Sequence, residues 1–264
     1  MAKQKDANAK MNKVVFIGAG SGDPELITLK GKRWLEQADV VIYAGSLLNP
    51  EYLKYCKASV ELFDSAKMGL PEMLEVMIAG VKSDKLVVRL HDGDPSFYGA
   101  IQEVMTALDK EGIEYFRIPG ISCLLGGAAA LNRELTLPNV SQTVIITRPE
   151  GRTPVPEAEA LRKLAVHQAT MVIFLGTPHI ARVVEELQKG GYPADTPCQV
   201  VYKATWPEQK IVKGTLQDIV GKVKAEGITE TALIFVGKVL DPKAYDYSKL
   251  YDPKFTTGFR KGEE

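Results

Sequence analysis

The chain has 264 residues, 45% of them hydrophobic, which indicates a globular protein with one large domain or two ordinary ones. Lysine plus arginine and aspartate plus glutamate balance at 33 each, so no net charge is available to attract nucleic acid. Cys56, Cys123 and Cys198 are widely spaced, with no Cys-x-x-Cys pair or histidine cluster. This pattern predicts neither a disulfide framework nor a metal site on the protein.

The polar stretch at 1–12 lacks the apolar core of a secretion signal, and no apolar run approaches the roughly 18 to 20 residues of a membrane span. We therefore expect a cytoplasmic protein that binds neither membranes nor nucleic acid.

The first half of the chain alternates strand-like with helix-like segments, which predicts a parallel α/β sheet. The predicted elements are strands at 14–17, 40–43, 86–90 and 115–118, with helices at about 24–37 and 99–110. Pro119 and Gly120 then interrupt the pattern, and the small-residue run at 124–131 predicts a closely packed helix. Further strands are predicted at 142–147, 171–175, 198–202 and 232–236, with helices near 158–165, 179–189 and 216–225.

These elements predict two α/β domains. We expect a polar N-terminal tail at 1–12, an N-terminal α/β domain at 13–118, a C-terminal α/β domain at 119–241 and a C-terminal tail at 242–264. The last segment is polar and aromatic without helical periodicity, which is typical of a surface arm.

The first strand ends in three alternate glycines, Gly18, Gly20 and Gly22, followed by Asp23 and Pro24. Glycine permits left-handed backbone angles and lets a ligand approach main-chain amides, whereas proline suits the first turn of a helix. This order predicts a ligand-binding loop between a strand and a helix.

The glycine spacing argues against a dinucleotide. That fingerprint requires a third glycine at the position of Asp23, and an acid about 20 residues further on to hold the ribose. The second strand ends instead in Ala44, Gly45 and Ser46, and no Lys-Ser/Thr pair follows the glycines as in a P-loop. Because Asp23 places a carboxylate where a phosphate would lie, the predicted ligand is neutral or cationic there.

A second Gly-Asp-Pro turn, at 93–95, again follows a strand and precedes a helix. Parallel strands end at one edge of a sheet, so both loops are predicted to face one crevice. Asp94 could alternatively be a simple helix cap. Of the three histidines, only His91 lies in a loop of interest.

These loops, together with Pro119-Gly-Ile-Ser122, resemble the class III S-adenosylmethionine-dependent methyltransferases of tetrapyrrole biosynthesis, over about 13–240. Two longer strings, at 142–157 and 201–207, resemble the branch of that family that methylates C-11 of precorrin-4 or cobalt-precorrin-4 in cobalamin biosynthesis. The glycine loops are shared by the whole family, whereas these two strings are specific.

The resemblance implies a homodimer of two-domain chains with S-adenosylmethionine in the cleft between the domains, a tetrapyrrole substrate beside it, and S-adenosylhomocysteine as product. It implies these cofactor contacts: Ser21, Asp92, Gly93, Asp94, Phe97, Ser122, Cys123, Leu175 and Ala204. Three of them depart from the family pattern: Ser21 replaces the usual proline, Cys123 a small residue or serine, and Asp92 a threonine or glycine.

Arg148, Arg152 and Lys203 are candidates for binding the substrate, because its acidic side chains require cations. The other candidate substrate contacts are Gly20, Asp23, Ser46 and Trp206. The cations could instead cap backbone groups or form surface ion pairs, and the tryptophan could be a core residue. Asp94 is the candidate catalytic residue, with Asp23 as the alternative, orienting the cofactor or deprotonating an intermediate. Any cobalt is expected to arrive inside the substrate.

Three alternatives stay open. The first is another methyltransferase of the superfamily, acting on another ring position (precorrin-2, precorrin-3 or uroporphyrinogen III), on diphthamide or on ribosomal RNA. The second is a nicotinamide oxidoreductase, which the missing ribose acid disfavours. The third is a non-catalytic nucleotide-sensing module, which two intact loops disfavour.

Overall fold

A computed structural model describes residues 13–263, so the predicted N-terminal tail lies outside the described residues. Within this range the first compact unit comprises 13–126 and 203–208, and the second comprises 127–202 and 209–263. This division falls later than the boundary expected after 118, and the sequence pattern did not indicate that 203–208 would join the first unit. The residue limits of the domains stay a prediction.

The first unit contains a five-stranded sheet. Its strands are β1 (Lys13–Gly18), β2 (Val40–Tyr43), β3 (Glu61–Asp64), β4 (Val87–His91) and β5 (Glu114–Ile118). They are arranged in the order β3-β2-β4-β1-β5, and every pairing is parallel, which confirms the predicted parallel sheet. The edge strand β3 was not predicted, because its Glu-Leu-Phe-Asp sequence is only partly buried.

Helices α1 (Leu29–Gln37), α2 (Leu70–Lys82) and α3 (Gln102–Lys110) pack on the first sheet. A further helix, α4 (Cys123–Leu131), starts in the first unit and ends in the second. The helix expected at 24–37 is broken: Pro24–Leu26 forms a 3-10 turn, and α1 begins only after Thr28, whose side chain accepts a hydrogen bond from Gly31 N. Alternate residues of the central strands enter two cores, one packed against α1 and the other against α2 and α3.

The second unit contains β6 (Val144–Thr147), β7 (Thr170–Ile173), β8 (Pro197–Tyr202), β9 (Lys210–Thr215) and β10 (Ala232–Val236). They are arranged in the order β6-β7-β10-β8-β9. Only the β6–β7 pairing is parallel, whereas the other three are antiparallel. The unpredicted strand β9 forms a hairpin with β8, and the loop between them is the segment that joins the first unit.

Three helices accompany this sheet: α5 (Leu161–Leu164), α6 (Ile180–Lys189) and α7 (Ile219–Ala225). The helix expected at 158–165 is reduced to the four residues of α5, with 3-10 turns on either side. Residues 242–263 are mostly exposed and include a 3-10 turn at Lys249–Tyr251. Across 13–263, no helix is both long and apolar enough to cross a membrane.

Candidate functional site

The loops after β1 and β4 are joined by backbone hydrogen bonds. Ala19 N donates to His91 O at 2.8 Å, Gly20 N donates to Gly93 O at 3.2 Å, and Gly93 N donates to Gly20 O at 2.8 Å. Both Gly-Asp-Pro turns therefore lie at one edge of the sheet, as the sequence predicted. In open α/β sheets this carboxyl edge is where ligands bind.

The turn after β5 packs against both loops. A Cβ atom at Gly18 would lie 2.5 Å from Gly120 N, and one at Gly120 would overlap the carbonyl oxygen of Gly93. The backbones at these three strand ends are thus in direct contact, and glycine is required at Gly18 and Gly120 for lack of space.

Asp94 connects this turn to the β4 loop. Its Oδ1 accepts a hydrogen bond from Ser96 N at 2.8 Å, and its Oδ2 accepts one from Gly120 N at 2.9 Å. Both carboxylate oxygens are therefore engaged by backbone amides. The helix-cap interpretation is wrong, because residues 95–98 form a turn and α3 begins only at Gln102, so the bond from Ser96 N closes a local turn. The bond from Gly120 N gives Asp94 a second role in holding two strand ends together.

The first loop is held by two buried side chains that the sequence reasoning missed. Asn49 Nδ2 donates to Gly22 O at 2.8 Å, Gly22 N donates to Tyr52 Oη at 3.2 Å, and that hydroxyl donates to Asp23 O at 2.9 Å. The carboxylate of Asp23 accepts from Glu25 N at 2.9 Å and so caps the following 3-10 turn. Asn49 before Pro50 is a recognisable cap signal, whereas Tyr52 has no local signal.

The segment Lys203–Glu208, which belongs to the first unit, packs against this loop. Thr205 Oγ1 accepts a hydrogen bond from Asp23 N at 3.0 Å and lies 3.0 Å from Ser21 Oγ. The Trp206 ring packs directly on Gly22, where a Cβ atom would overlap it, and Lys203 Nζ lies 4.8 Å from the ring centroid. The buried Ala204 belongs to the same segment.

The main-chain amides of this loop have partners within the protein. The glycines were predicted to let a ligand approach main-chain amides, but the amides of residues 19, 20, 22 and 23 each donate to an acceptor inside the protein. The glycines of this loop instead create close backbone contacts and left-handed angles, with φ of 107° at Gly20.

The carboxyl group of Asp92, just after β4, and the thiol of Cys123, the first residue of α4, lie near each other. Burial raises the pKa of Asp92, although the Arg89 guanidinium opposes that shift. Burial, with a smaller effect of Asp92, raises the pKa of Cys123 to about 11. The neighbouring Ser122 is buried, and its Oγ accepts a hydrogen bond from Leu124 N at 3.3 Å. These predicted contact residues therefore form a shielded polar cluster, and the thiol is protonated at neutral pH.

The remaining first-unit candidates are more exposed. Ser46 lies in an exposed turn after β2, and Phe97, which is 39% exposed, follows the second Gly-Asp-Pro turn. Lys203 Nζ also lies 3.7 Å from Glu208 Oε1, so its charge is partly compensated.

Three predicted residues belong to the second unit. The Arg148 guanidinium donates to the carbonyl oxygens of Pro149, Thr153 and Pro154, at 3.2, 3.2 and 2.8 Å. It therefore organises its own loop, which matches the structural alternative for this cation. Arg152 is exposed, and Leu175 is 62% exposed with a left-handed φ of 54°. Substrate or cofactor contacts for these three residues stay predictions.

Among residues 13–263 there is no group of three or more His, Cys, Asp or Glu side chains that could hold a metal ion.

A parallel sheet with three glycine-containing turns packed at its carboxyl edge places this chain among the open-sheet α/β proteins, a class that binds ligands at that edge. A family model described as tetrapyrrole (corrin/porphyrin) methylases matches residues 13–220. The chain belongs to this family.

Individual relatives are close. A cobalt-precorrin-4 C(11)-methyltransferase of Methanocaldococcus jannaschii is 59% identical over 252 residues, covering 96% of this chain and 97% of the relative. The crystal structure of a cobalamin biosynthetic cobalt-precorrin-4 methyltransferase has a TM-score of 0.86 and 46% identity, covering 88% of this chain and 97% of that one. A uroporphyrin-III C-methyltransferase of Thermus thermophilus, complexed with S-adenosylhomocysteine, has a TM-score of 0.74 and 26% identity, with 89% and 96% covered.

Proposed function

We propose that this protein transfers a methyl group from S-adenosylmethionine to C-11 of cobalt-precorrin-4, or of precorrin-4, in cobalamin biosynthesis. The observation that carries this proposal is the 59% identity to a cobalt-precorrin-4 C(11)-methyltransferase across almost the entire chain. We favour the cobalt-containing substrate because both this relative and the solved structure at 46% identity are named for it.

The polar cluster fits the proposed cofactor. S-adenosylmethionine supplies a methyl group that is already activated on a positively charged sulfur. The shielded carboxyl group of Asp92 suits a cation or a hydroxyl group, because such a partner would stabilise its ionised form. We propose that Asp92, Gly93, Asp94, Ser122 and Cys123 hold the cofactor. We propose that Ser21, Phe97, Ala204 and Leu175 also contact the cofactor.

The chain's own residues would act mainly by alignment. Transfer to an electron-rich ring carbon requires correct placement and exclusion of water, and a strong general base is not compulsory. Two roles were predicted for Asp94, orienting the cofactor and deprotonating an intermediate, and we assign it the orienting role. Its two oxygens accept bonds from Ser96 and Gly120 amides, so it fixes the loop that carries Asp92 and Gly93.

For the macrocycle, Lys203 and Trp206 are the candidates nearest the glycine loop, one offering a cation and the other an aromatic face. Gly20, Asp23, Ser46, Arg148 and Arg152 stay weaker candidates. The backbone groups of Gly20 and the carboxylate of Asp23 already have partners in the protein.

We further propose that the enzyme is a cytoplasmic homodimer, as the family resemblance implies. Light scattering coupled to size-exclusion chromatography tests the dimer directly. A mass near twice 28.9 kDa is expected, and a monomer at micromolar concentration would contradict it.

The function is tested by incubating the purified protein with isotope-labelled S-adenosylmethionine and a trimethylated tetrapyrrole, with and without cobalt. We expect incorporation of one methyl group per macrocycle, faster with cobalt present. Uroporphyrinogen III is the control substrate and should not be methylated. Calorimetric titration with S-adenosylhomocysteine and with NAD accompanies the assay, and tight binding of NAD alone would contradict a methyltransferase.

A further inference from the structure

A cavity of about 200 Å³ lies in the first unit, on the face of the sheet that is covered by α2 and α3. Two residues of β4, Arg89 and His91, line it together with side chains from both helices. Leu70, Met73 and Val104 supply apolar walls. Glu103 also lines the cavity, but it is exposed, so water screens its charge.

Arg89 is a buried cation with few partners. Its residue is 9% exposed, and Nη1 donates to Ile42 O at 3.2 Å. The structure of residues 13–263 contains no ion pair to this guanidinium, and Asp92 acts on it from beyond contact distance. Burial lowers the pKa of Arg89 to about 10, so it is still charged at pH 7. A buried guanidinium without a paired anion is costly, which favours an anionic ligand.

His91, which lines the same cavity, carries a buried polar atom that has no partner among the described residues. The residue is 6% exposed, and its Nε2 has no hydrogen-bond partner within the described part of the chain. Burial, with a further effect of Arg89, lowers the pKa of this imidazole to about 3, so it is neutral near pH 7. Buried polar groups are nearly always hydrogen-bonded, so this nitrogen requires a partner that residues 13–263 do not provide.

We propose that this cavity binds one carboxylate-bearing side chain of the tetrapyrrole substrate, with Arg89 and His91 contacting the carboxylate. This inference rests on the proposed function. The methylene stem of an acetate or propionate side chain lies between Leu70, Met73 and Val104. A guanidinium offers several donors to a carboxylate, and a neutral imidazole can donate one more hydrogen bond.

The position of His91 connects this cavity to the cofactor loops. Its carbonyl oxygen accepts the hydrogen bond from Ala19 N, so the side chain contacts the cavity while the backbone supports the first glycine loop. A substrate side chain anchored here is therefore held next to the residues assigned to the cofactor. Arg148, predicted for the same purpose, already donates to three carbonyl groups of its own loop.

Steady-state kinetics of Arg89→Met test the proposal. We expect KM for the tetrapyrrole to rise about tenfold or more, since a charge-assisted hydrogen bond is lost, while KM for S-adenosylmethionine stays within about twofold. Arg117→Met is the matched control, because Arg89 and Arg117 flank Phe16 in register on the same sheet, but Arg117 is exposed. An unchanged tetrapyrrole KM in an Arg89→Met protein that still binds S-adenosylhomocysteine would overturn the proposal.

A second measurement uses the wild-type protein and does not depend on the folding of a variant. The chain has three histidines, so the imidazole nitrogen signals can be assigned by NMR. Adding a metal-free trimethylated tetrapyrrole to the S-adenosylhomocysteine complex should shift His91 Nε2 and leave the exposed His167 and His179 unchanged. An unshifted His91 signal in a protein that methylates this tetrapyrrole refutes the cavity assignment alone. Failure of the wild-type protein to methylate any tetrapyrrole refutes the proposed function instead.

Discussion

The two Gly-Asp-Pro turns have the same sequence, follow neighbouring strands of one sheet, and are used differently. In the first turn, Asp23 caps its own 3-10 turn through Glu25 N. In the second turn, Asp94 makes the equivalent local bond to Ser96 N and also accepts a bond from Gly120 N, 26 residues away. The motif therefore specifies a local hydrogen bond in both places, and the neighbouring backbone determines whether it does more.

The surroundings of the two turns differ in the same way. The first turn is enclosed by buried side chains, Asn49, Tyr52 and Trp206, which satisfy its backbone groups. The second turn is adjacent to the shielded carboxyl group of Asp92 and to the cavity at His91. We infer that the first turn is mainly a scaffold, whereas the second turn carries the groups that contact ligands.

Substituting the glycine at the junction of the strand ends is expected to have the largest effect. Gly120→Ala should lower the free energy of unfolding by about 3 kcal/mol or more, because its Cβ would overlap the carbonyl oxygen of Gly93. Gly221→Ala is the control, since nothing lies within 4 Å of a Cβ there, and it should stabilise α7 by about 0.5 to 1 kcal/mol. Urea unfolding measures both, and equal stability of the two variants would contradict the packed junction.

His91, the last residue of β4 before the second turn, pairs in register with Gly18, the last residue of β1 before the first turn. Its pKa is lowered from 6.5 to about 3 by burial, so below pH 6.5 the unfolded chain binds a proton that the folded protein does not. Unfolding free energy should therefore fall as pH drops from 6.5 towards 3, by at most about 1.4 kcal/mol per pH unit from this group.

His91→Gln removes this contribution. Between pH 7 and pH 5 the variant should lose about 2 kcal/mol less unfolding free energy than the wild type. Urea unfolding at both pH values is the measurement, with exposed His167→Gln as the control that should follow the wild type. Parallel losses in wild type and His91→Gln would show that His91 is protonated in the folded protein.

Replacing the aspartate of each turn by asparagine compares the two turns directly, and the expected changes in stability are the smallest. Asp94→Asn should lower stability by about 1 kcal/mol and kcat/KM by about tenfold, because an amide cannot accept from both Ser96 N and Gly120 N. Asp23→Asn should change stability by less than about 0.5 kcal/mol, because asparagine caps as well as aspartate. Unfolding curves and turnover rates test both, and equal turnover in the two variants would remove the distinction between the turns.

Much of the first sheet was predictable from sequence, because its central strands are apolar runs that end at glycine or polar loops. β2 was predicted with its observed limits, whereas β3 and β9 were missed because exposed, alternately polar edge strands lack such a run. The helix α2 was also missed, although Pro71 and Glu72 in its first turn are recognisable start signals.

The site was predictable only as far as local patterns extend. Parallel strands place the two turns at one edge, which the Gly20–Gly93 pairing confirms. The bond from Gly120 to Asp94 and the placement of Thr205 against Ser21 depend on tertiary packing, so no spacing rule indicates them. His91 was singled out by its place before the second turn, but Arg89 was missed, and polar residues within a buried strand give no local sign of the cavity that they line.

The central claim concerns where the methyl group is placed. The most direct measurement supplies S-adenosylmethionine with a carbon-13 methyl group and cobalt-precorrin-4, and locates the label in the product by NMR. We predict a single labelled methyl group, attached to C-11 of the macrocycle. A label at another ring position, or an unlabelled macrocycle in the presence of protein that binds S-adenosylhomocysteine, would contradict the account.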